Sequence, residues 1–248
     1  MSETARWFPF VKPGPRPRLR LFCIPYAGGG ATMYRTWPDA LPGDIEVLAV
    51  QLPGRESRFS EPPYRRMEPL AEDLVRAMTP LLDVPYALVG YSMGAVIAHE
   101  VALRLRERGT GPEALFVCAR RHPLMEPDFP VLEDTTGDEI WERLRDLGGM
   151  PKPVLDNPEL RSVLLPQIRA DLELNSSYRP GPERVHDCPV FAFGGRDDHT
   201  VTHEELSGWA ATTRGSFGMR IFEGEHFFVR DHEDELVGEI ARSPVLQD

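Results

Sequence analysis

"LVGYSMGA", residues 88–95, sets a serine between two glycines with one residue on either side. An apolar run, "YALVGY" (86–91), leads into it, and a helical stretch, "MGAVIAHEVALRLRERG" (93–109), leaves it. A strand that turns at once into a helix through Gly-x-Ser-x-Gly has a definite physical use. The turn is too tight for side chains at Gly90 and Gly94, and it lifts the Ser92 hydroxyl over the sheet edge. The free N–H groups of the helix N-terminus then point at that spot. The pattern alone is a weak motif. Its setting makes Ser92 a candidate nucleophile and calls for two partners downstream.

Working outward, short apolar runs rich in Val, Ile, Leu and Phe recur at 19–26, 45–52, 86–91, 114–119, 188–195 and 217–224. Several are nearly continuous rather than alternating, which suits strands buried on both faces of a parallel sheet. Helical stretches lie between them at 68–82, 93–109, 203–213 and 231–241, the first with Leu70, Leu74, Met78 and Leu81 on one stripe. This alternation predicts an α/β fold, a mostly parallel sheet flanked by helices on both faces. The rhythm breaks at 122–180, where no strand candidate occurs. Two helical stretches stand there, 137–149 and 157–178, the second interrupted by Pro166. Such an insertion is expected to form a helical lid over the C-terminal ends of the strands, with Leu160, Val163, Leu164 and Ile168 as its apolar stripe. The alternative is a peripheral elaboration. The whole, 1–248, reads as one domain.

The partners should follow in the order Ser, Asp, His, after late strands. "FAFGGRDD" ends one strand with Asp197 and Asp198, and "IFEGEHFF" carries His226 just after the next. Asp198, three residues past Gly195, is the expected acid, and Asp197 should point away. None of the other six histidines combines the last-strand position with this order; His99, on the elbow helix, reads as a packed or surface side chain. The oxyanion hole needs one N–H from the residue after the nucleophile, Met93, and one from the loop after an early strand. "CIPYAGGG" (23–30) is that loop, and its glycines let the Ala27 amide face the site. A phosphate cradle at Gly28–Gly30 is disfavoured because no Lys-Ser or Lys-Thr follows. His199 and His203 are four apart, a spacing that can bind metal on a helix. No third ligand is evident and Thr-Val-Thr is a poor helix start, so no metal is expected.

"PYAGGG", "QLPGRESR", "GYSMGA", "GGRDD" and "EHFF" occur in this order along nearly the whole chain. Together they resemble the type II, or editing, thioesterases of polyketide and non-ribosomal peptide synthases. The resemblance implies an α/β-hydrolase fold with a helical lid. It implies an enzyme that hydrolyses short or aberrant acyl groups from the phosphopantetheine arm of acyl or peptidyl carrier proteins, with no cofactor of its own. It further implies Ser92 as nucleophile, His226 as base, Asp198 as its orienter and the Ala27 and Met93 amides as oxyanion hole. Tyr26, Tyr91 and His122, near the site, are the candidate substrate-binding residues. The chain departs from the family pattern at Tyr91, where histidine is usual, at Glu225, where glycine is usual, and at His122, where a small residue is usual. A small-molecule carboxylesterase on the same fold and a non-catalytic carrier-binding module are the rival functions.

Composition is that of a soluble globular protein, 41% apolar and 27% charged. Residues 1–14 hold no apolar stretch long enough for a signal peptide, and no segment approaches a membrane span. Cys23, Cys118 and Cys188 form no C-x-x-C pair, which suits reduced thiols in a cytoplasmic monomer. A net charge of −11 argues against nucleic acid and anionic membrane as partners. An acidic carrier protein would be repelled at long range, so docking would need a local basic patch. Arg55 and Arg58, after the strand ending at Leu52, and Arg120 and Arg121, just before the lid, are the candidates, against the alternative of ordinary surface charge or internal ion-pair partners.

Overall fold

A computed structural model describes residues 3–11, 14–125, 134–181 and 184–247. Its centre is a six-stranded sheet: β1 (Leu19–Ile24), β2 (Ile45–Ala49), β3 (Tyr86–Tyr91), β4 (Ala114–Cys118), β5 (Val190–Gly195) and β6 (Phe217–Phe222). The spatial order is β2-β1-β3-β4-β5-β6, and every neighbouring pair is parallel. All six expected strands are present; β3 matches its apolar run, and the other five are each trimmed by a residue or more. The continuous runs have the cause the sequence suggested. Every residue of β3 and β4 is buried, because helices cover both faces.

Alternate residues feed two cores. Phe22, Leu48, Leu88 and Leu115 point to one face, under α1 (Met67–Met78) and α2 (Met93–Glu107). Leu21, Val47, Val89 and Phe116 point to the other, beneath Trp37 and α6 (Val229–Ala241). The chain steps outward from β1 to β2 and then returns past β1 to build β3. That reversal puts a crevice at the C-terminal ends of β1 and β3, the usual place for a ligand in such sheets.

Between β4 and β5 the described residues contain no strand. They form α3 (Gly137–Asp146), a short turn of helix at Lys152–Leu155, and α4 (Pro158–Ser177). Thr136 and Glu139 close a capping box on α3, and the Asn157 side chain accepts from the Glu159 and Leu160 N–H groups to start α4. Ile140, Trp141, Leu144, Ile168 and Leu172 make a small core of their own. Two expectations need correction here. Pro166 does not interrupt α4: it removes one backbone bond, and the helix runs on because its downstream half is held by buried Ile168 and Leu172. The expected inner stripe also divides. Ile168 is buried, but Leu160 and Val163, one to two turns earlier, are 42% and 53% exposed.

Candidate active site

The elbow is strained as its use demands. Ser92 has φ +51° and ψ −112°, a region a non-glycine residue enters at a cost of order 1–3 kcal/mol. Its N–H is tied to the Cys118 carbonyl at 2.8 Å and its carbonyl to the Ala95 N–H at 3.0 Å. A Cβ on Gly90 would lie 2.2 Å from the Gly94 carbonyl oxygen, and one on Gly94 would lie 2.1 Å from that of Ile24. Both positions must therefore be glycine. Gly195 serves the histidine in the same way: a Cβ there would meet the Glu225 carbonyl oxygen at 2.3 Å, so the loop after β6 can close onto the end of β5. Gly224, at φ +100°, makes that loop's left-handed turn, and Glu225 beside it is exposed.

Three side chains from the ends of β3, β5 and β6 meet. His226 Nε2 is 3.1 Å from Ser92 Oγ, and His226 Nδ1 is 2.8 Å from Asp198 Oδ2. The other Asp198 oxygen accepts from Thr200 N–H at 2.9 Å, Thr200 O–H at 2.7 Å and Val201 N–H at 3.2 Å. Burial alone would raise the Asp198 carboxyl, but the His226 ring and the Thr200 donors hold it below its ordinary value. Asp197 is exposed, its side chain turned to solvent. The arrangement can pass a proton from a serine hydroxyl to an imidazole whose far nitrogen is held by a carboxylate.

A cavity of about 670 Å³, open solvent included, lies over Ser92 and His226. Ala27 and Met93 line it, Met93 in the first turn of α2, where N–H groups lack an intrahelical acceptor. Tyr26 and Phe227 line it too, their rings edge to face at 4.9 Å. The insertion contributes Arg143, Leu144, Leu147, Leu172 and Asn175.

Two expected substrate-binding residues lie elsewhere. Tyr91 is 1% exposed. Strand alternation sends it to the face shared by Ala87 and Val89, away from the cavity, where its hydroxyl donates to the His226 carbonyl at 2.6 Å. It braces the histidine from behind. His122 packs against Gly208, where a Cβ would meet its ring carbon at 2.1 Å, and burial pushes its imidazole below the usual histidine value.

The proposed basic docking patch is also corrected. Arg55 and Arg58 are 4% and 6% exposed. Arg55 pairs with Asp171, while Arg58 pairs with Glu61 at 2.6 Å, donates to the Gln51 carbonyl at 2.9 Å and lies 4.4 Å from the Trp7 ring centre. Arg120 is buried in the cavity wall. Arg121 is half-buried, pairing with Glu205 at 3.1 Å and donating to the Thr200 carbonyl at 3.1 Å. A guanidinium beside a strand end is drawn inward when a carboxylate and a free carbonyl wait there, as for Arg55, Arg58 and Arg121.

Among the described residues no group of three His, Cys, Asp or Glu is placed to hold a metal ion, and no helix is long and apolar enough to cross a membrane. His199 and His203 are exposed, and Thr202 between them caps the helix His203–Ser207 (α5) through a capping box with Glu205. The Thr-Val-Thr stretch is thus a good helix start rather than a poor one. His99 is buried, 2.7 Å from His186 across its Nδ1. Sequence reasoning missed Thr200. Its signal was there: an aspartate two residues ahead commonly accepts the backbone N–H of the residue it precedes by two, forming an Asx-turn.

Residues 19–243 match the family model described as a thioesterase domain. The chain belongs to the thioesterase family. It is 36% identical to the gramicidin S biosynthesis protein GrsT of Aneurinibacillus migulanus, over 96% of this chain and 93% of that one. It is 34% identical to the thioesterase PikA5 of Streptomyces venezuelae, over 96% and 85%. Its fold superposes on the type II thioesterase BorB from the borrelidin biosynthetic cluster with a TM-score of 0.86, at 36% identity, covering 95% and 96%. These relatives are of the class that the five motifs resemble, and this thioesterase is a hydrolase of the serine type.

Proposed function

We propose that this thioesterase clears short or aberrant acyl groups from the phosphopantetheine arm of an acyl or peptidyl carrier protein. The observation that carries the reading is the continuous path Ser92 Oγ to His226 Nε2 and His226 Nδ1 to Asp198, at the mouth of a partly apolar cavity. His226 takes the Ser92 proton as the hydroxyl attacks the thioester carbonyl, and Asp198 keeps the imidazole in the tautomer this requires. The oxyanion accepts from the Ala27 and Met93 N–H groups, each worth about 3 kcal/mol in comparable sites. The thiol departs, its pKa near 8.5 making it a good leaving group. Water then attacks the acyl-enzyme, with His226 again as base, and releases the acid.

In this reading the described residues of the insertion, 134–180, cover the cavity and set acyl length, the supporting residues being Leu144, Leu147 and Leu172; residues 126–133 of the expected lid 122–180 lie outside the described residues. The enzyme works in the cytoplasm as a monomer, on one carrier at a time. The test is hydrolysis of a panel of acyl-carrier proteins against matched acyl thiol and oxyester analogues. Faster turnover on the carriers supports the reading, and preference for oxyesters with indifference to carrier overturns it. Ser92→Ala should lower kcat on every substrate, by a factor on the order of 10⁶.

A further inference from the structure

The motif "QLPGRESR", 51–58, takes no part in the triad, yet it contains one of the most buried ion pairs in the protein. Arg55 Nη1 and Nη2 reach the two oxygens of Asp171 at 2.7 Å each, with side chains 5% and 3% exposed. Asp171 belongs to α4, far along the chain. The same Asp171 oxygen that meets Nη1 also accepts the Gly28 N–H at 2.8 Å. Arg55 Nη1 donates in addition to the Gly29 carbonyl at 3.2 Å. Gln51, fully buried, accepts the Ala31 N–H at 3.3 Å and donates to the Arg55 carbonyl at 3.2 Å. The Gly29 N–H turns back to the Tyr26 carbonyl at 2.9 Å. The loop after β1 is therefore fixed at Gly28, Gly29 and Ala31, immediately past Ala27, which lines the cavity.

Stability does not explain this pair. A buried ion pair gains little over well-packed apolar residues, because desolvation offsets most of the attraction. What it does supply is geometry. The guanidinium fork and the carboxylate fix one another bidentately; a carboxylate lone pair left over accepts the Gly28 N–H and an Arg55 N–H donates to the Gly29 carbonyl, so the pair holds two consecutive residues of a glycine-rich loop that has no regular structure to hold it. Gly28, at φ +81°, takes a left-handed conformation that favours glycine. The insertion also covers it: a Cβ on Gly28 would meet Met150 at 2.9 Å and Ile168 at 3.7 Å.

We infer that Arg55 and Asp171 are positioning residues that hold the loop 25–30 with the Ala27 N–H facing Ser92, so that the oxyanion hole is complete only while α4 is seated on it. The inference rests on the acyl-enzyme reading above and adds to it a link between the insertion and the chemistry. The insertion is then more than a wall of the cavity, because lifting α4 removes the acceptor of the Gly28 N–H and slackens the oxyanion loop.

The experiment compares wild type with Asp171→Leu, Arg55→Lys and the double variant Arg55→Met/Asp171→Leu, using a short acyl thioester of N-acetylcysteamine. Each variant is measured for thermal midpoint, for kcat and KM separately, and for inhibition by a trifluoromethyl ketone analogue, which mimics the oxyanion. Losing one oxyanion donor costs on the order of 10² to 10³ in kcat, so Asp171→Leu, which leaves the Gly28 N–H without its acceptor, should lower kcat by about 10² and change KM little. The ketone's affinity should fall by a similar factor. Arg55→Lys, which keeps the charge and loses the fork, should lower kcat in the same direction. The double variant should recover the thermal midpoint, since no charge is left unpaired, but not kcat, since Gly28 still lacks its acceptor. Recovery of kcat in the double variant, or a rise in KM at unchanged kcat and unchanged ketone affinity, overturns the inference. If Asp171→Leu does not fold, the double variant decides alone, because it buries no unpaired charge and offers Gly28 no acceptor. Ser92→Ala separates the two readings: if that variant still hydrolyses the thioester, the acyl-enzyme reading fails, whereas an inactive Ser92→Ala beside a fully active double variant fails the positioning role only.

Discussion

Asp198→Asn tests the triad through its tautomer, and the structure says which way the amide would turn. One Asp198 oxygen accepts three donors, Thr200 N–H, Thr200 O–H and Val201 N–H, while the other faces His226 Nδ1 at 2.8 Å. An asparagine has a single acceptor oxygen. Placed toward the three donors, it keeps all three bonds. Turned round, it sets an NH₂ against them and loses bonds worth about 1 kcal/mol each. The amide nitrogen is therefore directed at His226 Nδ1, which must accept, and the ring proton moves to Nε2. That nitrogen can then no longer take the Ser92 proton. The expected loss is on the order of 10⁴ in kcat, about 5.4 kcal/mol of transition-state stabilisation.

The assay is the initial rate of thiol release from a short acyl thioester, with the thermal midpoint measured in parallel to show that the fold is kept. Asp197→Asn is the control; its side chain is exposed and its rate should stay within about twofold of wild type, as for a surface position. A loss under about tenfold for Asp198→Asn, or a larger loss for Asp197→Asn than for Asp198→Asn, would falsify the assignment of the acid.

Tyr91→Phe should lower stability by about 1–3 kcal/mol by leaving the His226 carbonyl unpaired, and lower kcat with KM nearly constant, as read by denaturant unfolding and steady-state kinetics. Leu172→Trp should shift preference toward the shortest acyl groups, while Val163→Trp on the exposed side of α4 should leave the acyl profile unchanged; equal profiles for both would detach the insertion from chain-length choice. The Arg58 guanidinium pulls Glu61 down to about 2, with Arg6 adding to it. A depressed carboxyl gives stability that is complete above its unfolded pKa, about 4.3, and is lost as pH falls from there toward 2; Arg58→Met should flatten that part of the urea-midpoint curve. An acidic carrier meeting a chain of net charge −11 should react faster as salt is raised to about 0.1 M, where the screening length is about 10 Å, with no such gain for a small thioester.

The sheet and the triad were legible in the sequence because each rests on local signals. Strands buried on both faces leave continuous apolar runs, and a strand that ends in a functional turn leaves glycines where backbones approach within van der Waals contact. Gly90, Gly94 and Gly195 are such marks, and Ser92, Asp198 and His226 stand beside them. The arginines were not legible in this way. Nothing near Arg55 in sequence announces Asp171 in α4, so a cation at a strand end looks the same whether it faces solvent or a distant carboxylate. The stripe on α4 failed for a related reason. Periodicity states which residues share a face, but what covers the face is a tertiary fact, and only the half carrying Ile168 is covered. Tyr91 could have been placed from sequence, since it keeps the alternation of Ala87 and Val89 and so must leave the cavity side.

The placement of these charges bears on how the site is kept in shape. Arg55, Arg58 and Arg121 each end on a turn at the C-terminal edge of the sheet: Arg55 on the Gly29 carbonyl, Arg58 on the Gln51 carbonyl, Arg121 on the Thr200 carbonyl. Loops at that edge carry the chemistry and have no ladder of their own to hold them. A guanidinium has five donors in a rigid fork, enough to satisfy a carboxylate and a loop carbonyl together, which a lysine with its single flexible ammonium does less well. Arg121 holds the turn that carries the acid, and Arg55 holds the loop that carries Ala27. The catalytic groups come from different strands, so their mutual distances are only as constant as the turns between them. Internal arginines fix those turns, and this is why charge reversal at Arg121 should cost activity on small thioesters as well as on carrier-bound ones.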